Sequence, residues 1–247
     1  MKVQRTKKGN LIVGSKYDFN CAVIGMLLGD GCLNRFDFSR GPENKSKKGP
    51  LWHRTELRIQ HKISHKEYLD WKINLIRSYV DDVSIYEKSK IIGDKIFYGY
   101  EAFIKHRKNF HYLYKHFYVG GHLSINNRVT GATKVLKKSI LNRLSPLSIA
   151  IWYMDDGSLY TFSYDGKIRR QLSLHTDGFT FKECEMIKQF FIDKYDIYFN
   201  INKNGITKTM DGGFKLRTAK QHDIEKFFDI VSVFVKEVKC MNYKLPL

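Results

Sequence analysis

Two aspartates, Asp30 and Asp156, end two similar apolar runs, Val23-Ile24-Gly25-Met26-Leu27-Leu28-Gly29-Asp30-Gly31 and Ile149-Ala150-Ile151-Trp152-Tyr153-Met154-Asp155-Asp156-Gly157. Each run reads as a short buried helix that delivers an acid from its C-terminal end. A carboxylate there faces the negative pole of the macrodipole, which costs a few tenths to about 1 kcal/mol unless a cation lies close. Two such acids at equivalent places point to one shared cation site. The glycine after each Asp is the expected helix stop, and Asp18 and Ser145-Pro146 are suitable starts. Each half also carries a lysine in its tail, in Lys134-Val135-Leu136 and Lys244-Leu245-Pro246, 104 residues after Asp30 and 88 after Asp156.

The elements that must position these groups repeat in the same order. In the first half, alternation predicts a hairpin of 32–38 and 52–62 around the polar loop Ser39–Pro50, with Leu57, Ile59 and His61 on one face and Glu56, Arg58 and Gln60 on the other. A helix over 65–79, capped by Ser64, carries the apolar stripe Tyr68, Leu69, Ile73, Leu75 and Ile76. A hairpin of 83–92 and 95–104 turns at Gly93-Asp94, and a basic, aromatic helix over 105–118 ends at Gly120-Gly121. In the second half, a hairpin of 158–164 and 167–176 turns at Asp165-Gly166, and a helix over 180–194 opens with the capping box Thr180-Phe181-Lys182-Glu183. Strands 197–203 and 206–210 turn at Asn204-Gly205; then come a strand over 214–217 and a closing helix over 221–238. The order is helix, two strands, helix, two strands, helix, twice over. Residues 1–17 are expected to be an N-terminal extension, 18–136 and 145–247 the halves, and 137–144 a linker.

Composition limits what such a scaffold serves. A formal net charge of +18 and a 43% hydrophobic content suit a folded protein with a polyanionic partner rather than a basic disordered tail. Cys21, Cys32, Cys184 and Cys240 are too dispersed for a CxxC pair or zinc ribbon and read as reduced core residues. His106, His111 and His116 recur every five residues, so they share no helix face and make a poor metal site. The basic N-terminus lacks the apolar core of a signal peptide, and no run approaches the roughly 18 residues of a membrane span. An intracellular protein without membrane association is expected, whether in an organelle matrix such as that of mitochondria or in bacterial or phage-infected cytoplasm.

At these motifs the chain resembles the LAGLIDADG family of homing endonucleases, whose name motif matches Val23–Gly31 and Ile149–Gly157 position by position. The second copy, from Leu144-Ser145-Pro146 to Asp156-Gly157, together with the tail Asn242-Tyr243-Lys244-Leu245-Pro246, is similar to the single-chain, two-motif branch typified by the mitochondrial omega-intron endonuclease. The resemblance implies an α+β fold of two pseudo-symmetric αββαββα halves. Each half would hold a curved, mostly antiparallel four-stranded sheet, the halves being joined at the motif helices. It also implies that Asp30 and Asp156 bind Mg²⁺, with Mn²⁺ able to substitute, that the Gly29 position serves through its main-chain carbonyl, and that Asp155, in the corresponding place, is a further candidate ligand. Lys244 and Lys134 are the implied catalytic lysines, with Lys137 and Lys138 as alternatives to Lys134. Gln60 and His175 match the hairpin positions that order water, although His175 could equally be a core or DNA-contacting residue. Small Ala22, Gly25 and Gly29 permit close helix approach, but their counterparts are Ser148, Ile151 and Asp155, so the crossing must be asymmetric.

Phosphodiester hydrolysis needs an activated water, neutralisation of the phosphate and a stabilised leaving oxygen, and carboxylate-bound Mg²⁺ can supply all three. Residues 1–144 hold 28 Lys and Arg against 12 Asp and Glu, whereas 145–247 hold 15 against 13. The first half should therefore supply more phosphate contacts. Candidate DNA contacts are Arg35, Arg54, Arg58, Lys88, Lys90, Arg169, Arg170, Lys203, Lys208 and Lys215. The expected function is Mg²⁺-dependent cleavage of both strands of a long, non-palindromic DNA target with short 3′ overhangs, by a monomer. The alternative is an intron maturase that binds intron RNA, or a nucleic-acid-binding protein of the same fold that has lost catalysis.

Overall fold

The computed structural model describes residues 3–7, 9–37, 53–106, 109–124, 126, 128–203 and 213–246. The expected loop Ser39–Pro50, the Asn204-Gly205 turn, the strand over 206–210 and Lys208 lie outside the described residues. The chain divides into two compact units, one of Lys2–Asn20 and Gly31–Val135, the other of Cys21–Asp30 and Leu136–Leu247. The first motif helix, α1 (Lys16–Leu28), runs from one unit into the other.

In the first of these units the expected N-terminal extension holds a short hairpin, β1 (Val3–Arg5) with β2 (Leu11–Val13). Ser15, one residue ahead of α1, rather than Asp18, begins that helix. Its Oγ accepts from the Asp18 amide at 3.1 Å and donates to the Asp18 carboxylate at 2.7 Å, so Asp18 is the third helical residue. Strands β3 (Cys32–Asp37), β4 (His53–Lys62), β5 (Asp82–Ile92) and β6 (Lys95–Lys105) form an antiparallel sheet in the order β3-β4-β6-β5. Leu57, Ile59, Ala102 and Ile104 are buried on one face against α2 (Lys66–Ile76) and α3 (Asn109–Phe117). The α2 stripe is buried as the 3.6-residue period requires. Single 3-10 turns flank α2 at Ile63–His65 and Arg77–Tyr79, and Ser64 caps neither helix. One polar pair shares this core: Lys72 is fully buried, with Nζ 3.1 Å from His61 Nε2 and 4.3 Å from the centre of the Tyr68 ring.

Gly120-Gly121 does not end a helix. The helix stops at Phe117, and both glycines lie in β7 (Tyr118–Leu123), which pairs with β8 (Val129–Lys134). Their φ values of +70° and +98° let the strand turn without the strain a side chain would meet there.

The other unit repeats the architecture. Strands β9 (Gly157–Tyr164), β10 (Lys167–Thr176), β11 (Asn200–Lys203) and β12 (Phe214–Thr218) form an antiparallel sheet in the order β9-β10-β12-β11. Asp165 and Gly166, both at positive φ (52° and 68°), make the primed turn expected of Asp-Gly. The second motif helix, α5 (Pro146–Asp156), packs on this sheet with α7 (Gln221–Val235), and α6 (Phe181–Tyr195) packs on β11 and β12. The core is aromatic: Tyr153, Phe191, Phe199 and Phe227 are buried, with Phe191–Phe199 centroids 5.1 Å apart. The expected linker also has structure, since Ile140, Leu141 and Leu144 are buried around a short helix, α4 (Lys138–Leu141).

Candidate active site at the motif helices

The site is built where the C-terminal part of α1 meets α5. Ser145 caps α5 reciprocally with Ser148, and Pro146 follows at the first helical position, where its missing N–H costs nothing. Ser148 Oγ also donates to the Cys21 carbonyl at 2.8 Å, tying the start of α5 to α1. Gly25 makes the close approach possible. A Cβ there would lie 2.6 Å from the Ser148 carbonyl oxygen and 3.1 Å from Ile151 Cβ. The crossing is asymmetric because Ile151, the counterpart of Gly25, fills the space that the glycine leaves.

One turn on, the same device presents the acids. A side chain at Gly29 would overlap the Asp155 carboxylate. Without one, Asp155 Oδ2 accepts the Asp30 amide at 3.3 Å, and one carboxylate oxygen of Asp30 lies within 4.8 Å of one of Asp155. Asp30 is exposed, two residues past the end of α1, while Asp156 is half-buried as the last residue of α5. The structure thus brings Asp30 and Asp155 together, and Asp156 follows directly. These are hard oxygen donors on a partly open surface, the ligand type that Mg²⁺ or Ca²⁺ takes, so the residues present fit a divalent cation. Gly157 is not a left-handed stop: its φ is −88° and ψ 155°. It must be glycine because a Cβ would run into the Tyr153 ring.

The lysines occupy matching places. Lys134, the last residue of β8, donates to the Gly31 carbonyl at 3.2 Å, and Lys244 donates to the Gly157 carbonyl at 2.9 Å. Each therefore reaches the glycine after its own half's motif acid. The 104-residue spacing in the first half exceeds the 88 of the second because the β7–β8 hairpin carries the chain back to Gly31. Lys244 goes further. Only 7% exposed, its ammonium also donates to the carbonyls of Tyr153 (3.1 Å), Met154 and Asp155 (3.3 Å). It is the cation that suits a helix whose last residues are acidic, and it takes up the Met154 and Asp155 carbonyls of the last turn, while the Tyr153 carbonyl also accepts the Gly157 amide. The Tyr153 hydroxyl returns a bond to the Lys244 carbonyl at 2.6 Å, and burial pushes that phenol far above its ordinary pKa.

The two sheets each present a face away from their helices. In the first unit, strand alternation puts Arg54, Glu56, Arg58 and Gln60 of β4 there, and the register adds Glu101 of β6 and Lys88 and Lys90 of β5. Arg54 pairs with Glu56 at 3.4 Å and stacks over the Phe36 ring at 4.6 Å. Gln60 Nε2 and Arg58 Nε both donate to Glu101 Oε1, and Lys88 pairs with Oε2. Burial pushes the Glu101 carboxyl up, but Lys88 and Arg58 outweigh it and hold the pKa below the usual 4.5. In the other unit His175 and Lys215 stand opposite one another, with Arg169 on the same face, and His175 Nδ1 is 3.6 Å from Asp177 Oδ2.

Three candidate DNA contacts have the opposite parity. Arg35 pairs with buried Thr55 in register, and its guanidinium lies 5.6 Å from the Tyr114 ring centre on α3; Arg170 shares the parity of buried Leu172 and Leu174, and Lys203 is opposite Phe214. A period of two turns these three towards the helix side of their sheets. Sequence reasoning passed over Glu101 and the capping role of Lys244. Both depend on which strand or tail lies alongside, which a linear pattern does not carry.

Two helix-backed antiparallel sheets of one strand order, with apolar motif helices ending in acids and a lysine beside each, define the two-motif LAGLIDADG class. The chain belongs to the LAGLIDADG DNA endonuclease family, which it matches over residues 21–222. It is 30% identical over 141 residues to cytochrome b mRNA maturase bI2 of Debaryomyces hansenii, covering 55% of this chain and 42% of that protein, so it spans less than half of that relative's length. It is 25% identical over 189 residues to probable intron-encoded endonuclease 1 of Wickerhamomyces canadensis, covering 76% of this chain and 72% of that one. Its fold is similar to that of the homing endonuclease I-WcaI bound to its DNA recognition sequence, with a TM-score of 0.64 at 22% identity over 94% of this chain and 87% of that one. Among the described residues no helix is long and apolar enough to cross a membrane.

Proposed function

We propose that this protein is a site-specific DNA endonuclease that cuts both strands of a long, non-palindromic duplex with a divalent metal, Mg²⁺ by preference, leaving short 3′ overhangs. The observation that carries this reading is the matched pair of lysine contacts, Lys134 to Gly31 and Lys244 to Gly157, each next to a motif acid. One chain then holds two acid–lysine sets, one for each strand, and works as a monomer. Asp30, Asp156 and Asp155, with the Gly29 main-chain carbonyl, would hold the metal, which supplies an activated water and neutralises the scissile phosphate. Lys134 and Lys244 place positive charge beside it, and Gln60 and His175 order water. Arg54, Arg58, Lys88, Lys90, Arg169 and Lys215 face the duplex from the open sheet faces.

The test is a duplex that joins the sequences flanking the protein's own reading frame. Asp30→Asn and Asp156→Asn should each abolish or severely slow double-strand cleavage and leave binding largely intact, because each loses a metal ligand rather than a phosphate contact. Parallel loss of binding and cleavage would make these acids structural. The likeness to a cytochrome b mRNA maturase favours a second reading, RNA binding in splicing. Under that reading, structured intron RNA displaces the duplex at equal salt, whereas an endonuclease alone keeps its DNA.

A further inference from the structure

Glu101 is the most deeply buried acid on the open face of the first unit's sheet. Its exposure is 0%, yet it lies on the face turned from the helices, because Arg58, Gln60 and Lys88 close over it from both neighbouring strands. Such a carboxylate is a poor source of stability, since desolvation takes back most of what the cations return. Its geometric effect is specific. Holding Arg58 by the inner Nε fixes the plane of the guanidinium, whose outer edge is the group that reads guanine in the major groove. The same carboxylate fixes the Gln60 amide and draws Lys88 across the strand. One acid also offsets half of the charge that Arg58 and Lys88 bring, and so weakens their pull on phosphate. In the other sheet, the residue opposite His175 is the cation Lys215, so the two faces are set differently.

We infer that Glu101 is a positioning residue for sequence selectivity: it holds Arg58 and Lys88 as a preorganised base-reading pair and weakens their pull on the DNA backbone. This rests on the DNA-binding reading above and adds the residue that separates selective from non-selective binding.

The experiment compares wild type with Glu101→Gln on two probes. A random-sequence duplex reports the salt slope, and a pool of duplexes with a randomised core, sequenced after binding, reports selectivity. Glu101→Gln should bind the random duplex more tightly, with a slope steeper by about 0.9 for each cation released. Its enrichment of preferred sequences should fall roughly tenfold or more, the scale of one good side chain–base pair. An unchanged slope with unchanged enrichment in a variant that melts like wild type would overturn the inference. Lys88→Met provides a second arm, one that leaves Arg58 and Gln60 on Glu101. With Lys88 already paired, the slope should stay at the wild-type value, and a loss of about 0.9 would show Lys88 bound to phosphate instead. Wild-type protein that bound no duplex would remove the DNA-binding reading and this inference together, whereas wild-type selectivity that survives Glu101→Gln removes the inference alone.

Discussion

Lys134 and Lys244 make the same contact with different burial, and this separates what each does. Lys244 holds four carbonyls at the end of α5, while Lys134 is half-buried and reaches Gly31. Lys244→Met should slow cleavage of one strand by ~10²-fold or more, on the scale of losing a charge-stabilising donor, and should also lower the melting temperature. Lys134→Met should slow the other strand with a smaller effect on melting. Each should accumulate nicked circles on a supercoiled target; equal slowing of both strands by either variant would assign that lysine a structural role. The matching tail positions of the two lysines could be counted in the sequence, but the contact that singles out Lys134 beside Lys137 and Lys138 could not. The Asp30–Asp155 approach was less so. Equal spacing pairs Asp30 with Asp156, and only the packing of Asp155 onto the bare Gly29 backbone shows which carboxylate comes near.

Among elements, the α1–α5 crossing has no room for a side chain at Gly25. A Cβ at Gly25 would press on main-chain atoms of Ser148, which no rotamer change relieves. Gly25→Val should destabilise the protein by about 1–3 kcal/mol or more, whereas Gly178→Ala, with nothing within 4 Å, should melt near wild type. A Gly25→Val protein that melted with wild type would mean that the helices separate easily. The strands of the first sheet and the β9–β10 hairpin were readable in the sequence, and α5 and α6 from their caps, Ser145 and Thr180. The last strands were not: β11 begins at Asn200 instead of the expected 197, and its partner is β12. The β7–β8 hairpin was not, because Gly120-Gly121 after a basic helical stretch matches a helix stop as well as it matches a bent strand. The β1–β2 hairpin escaped notice because three-residue strands carry too little alternation to stand out.

Over the whole molecule, the net charge of +18 should dominate affinity. Log affinity for duplex DNA should fall linearly with log salt, at about −0.9 per phosphate neutralised. An affinity that hardly changed with salt in a filter or anisotropy titration would count against a DNA-binding surface. The fold class was legible from the doubled order of elements, but the partition of the chain into units was not, since it follows contacts rather than sequence order. Cys21–Asp30 belongs with Leu136–Leu247, although Gly31–Val135 of the other unit comes between them in sequence. On the ribosome, Ser148 and Ile151, which bury this apolar helical segment, arrive only after more than a hundred further residues have been added. Loop closure over that distance is slow, and an unburied apolar helix is a target for aggregation in the meantime. A nascent chain of this protein thus carries an unburied apolar helix while Gly31–Val135 is being made, and the Asp30 amide meets Asp155 only once the second motif has been translated.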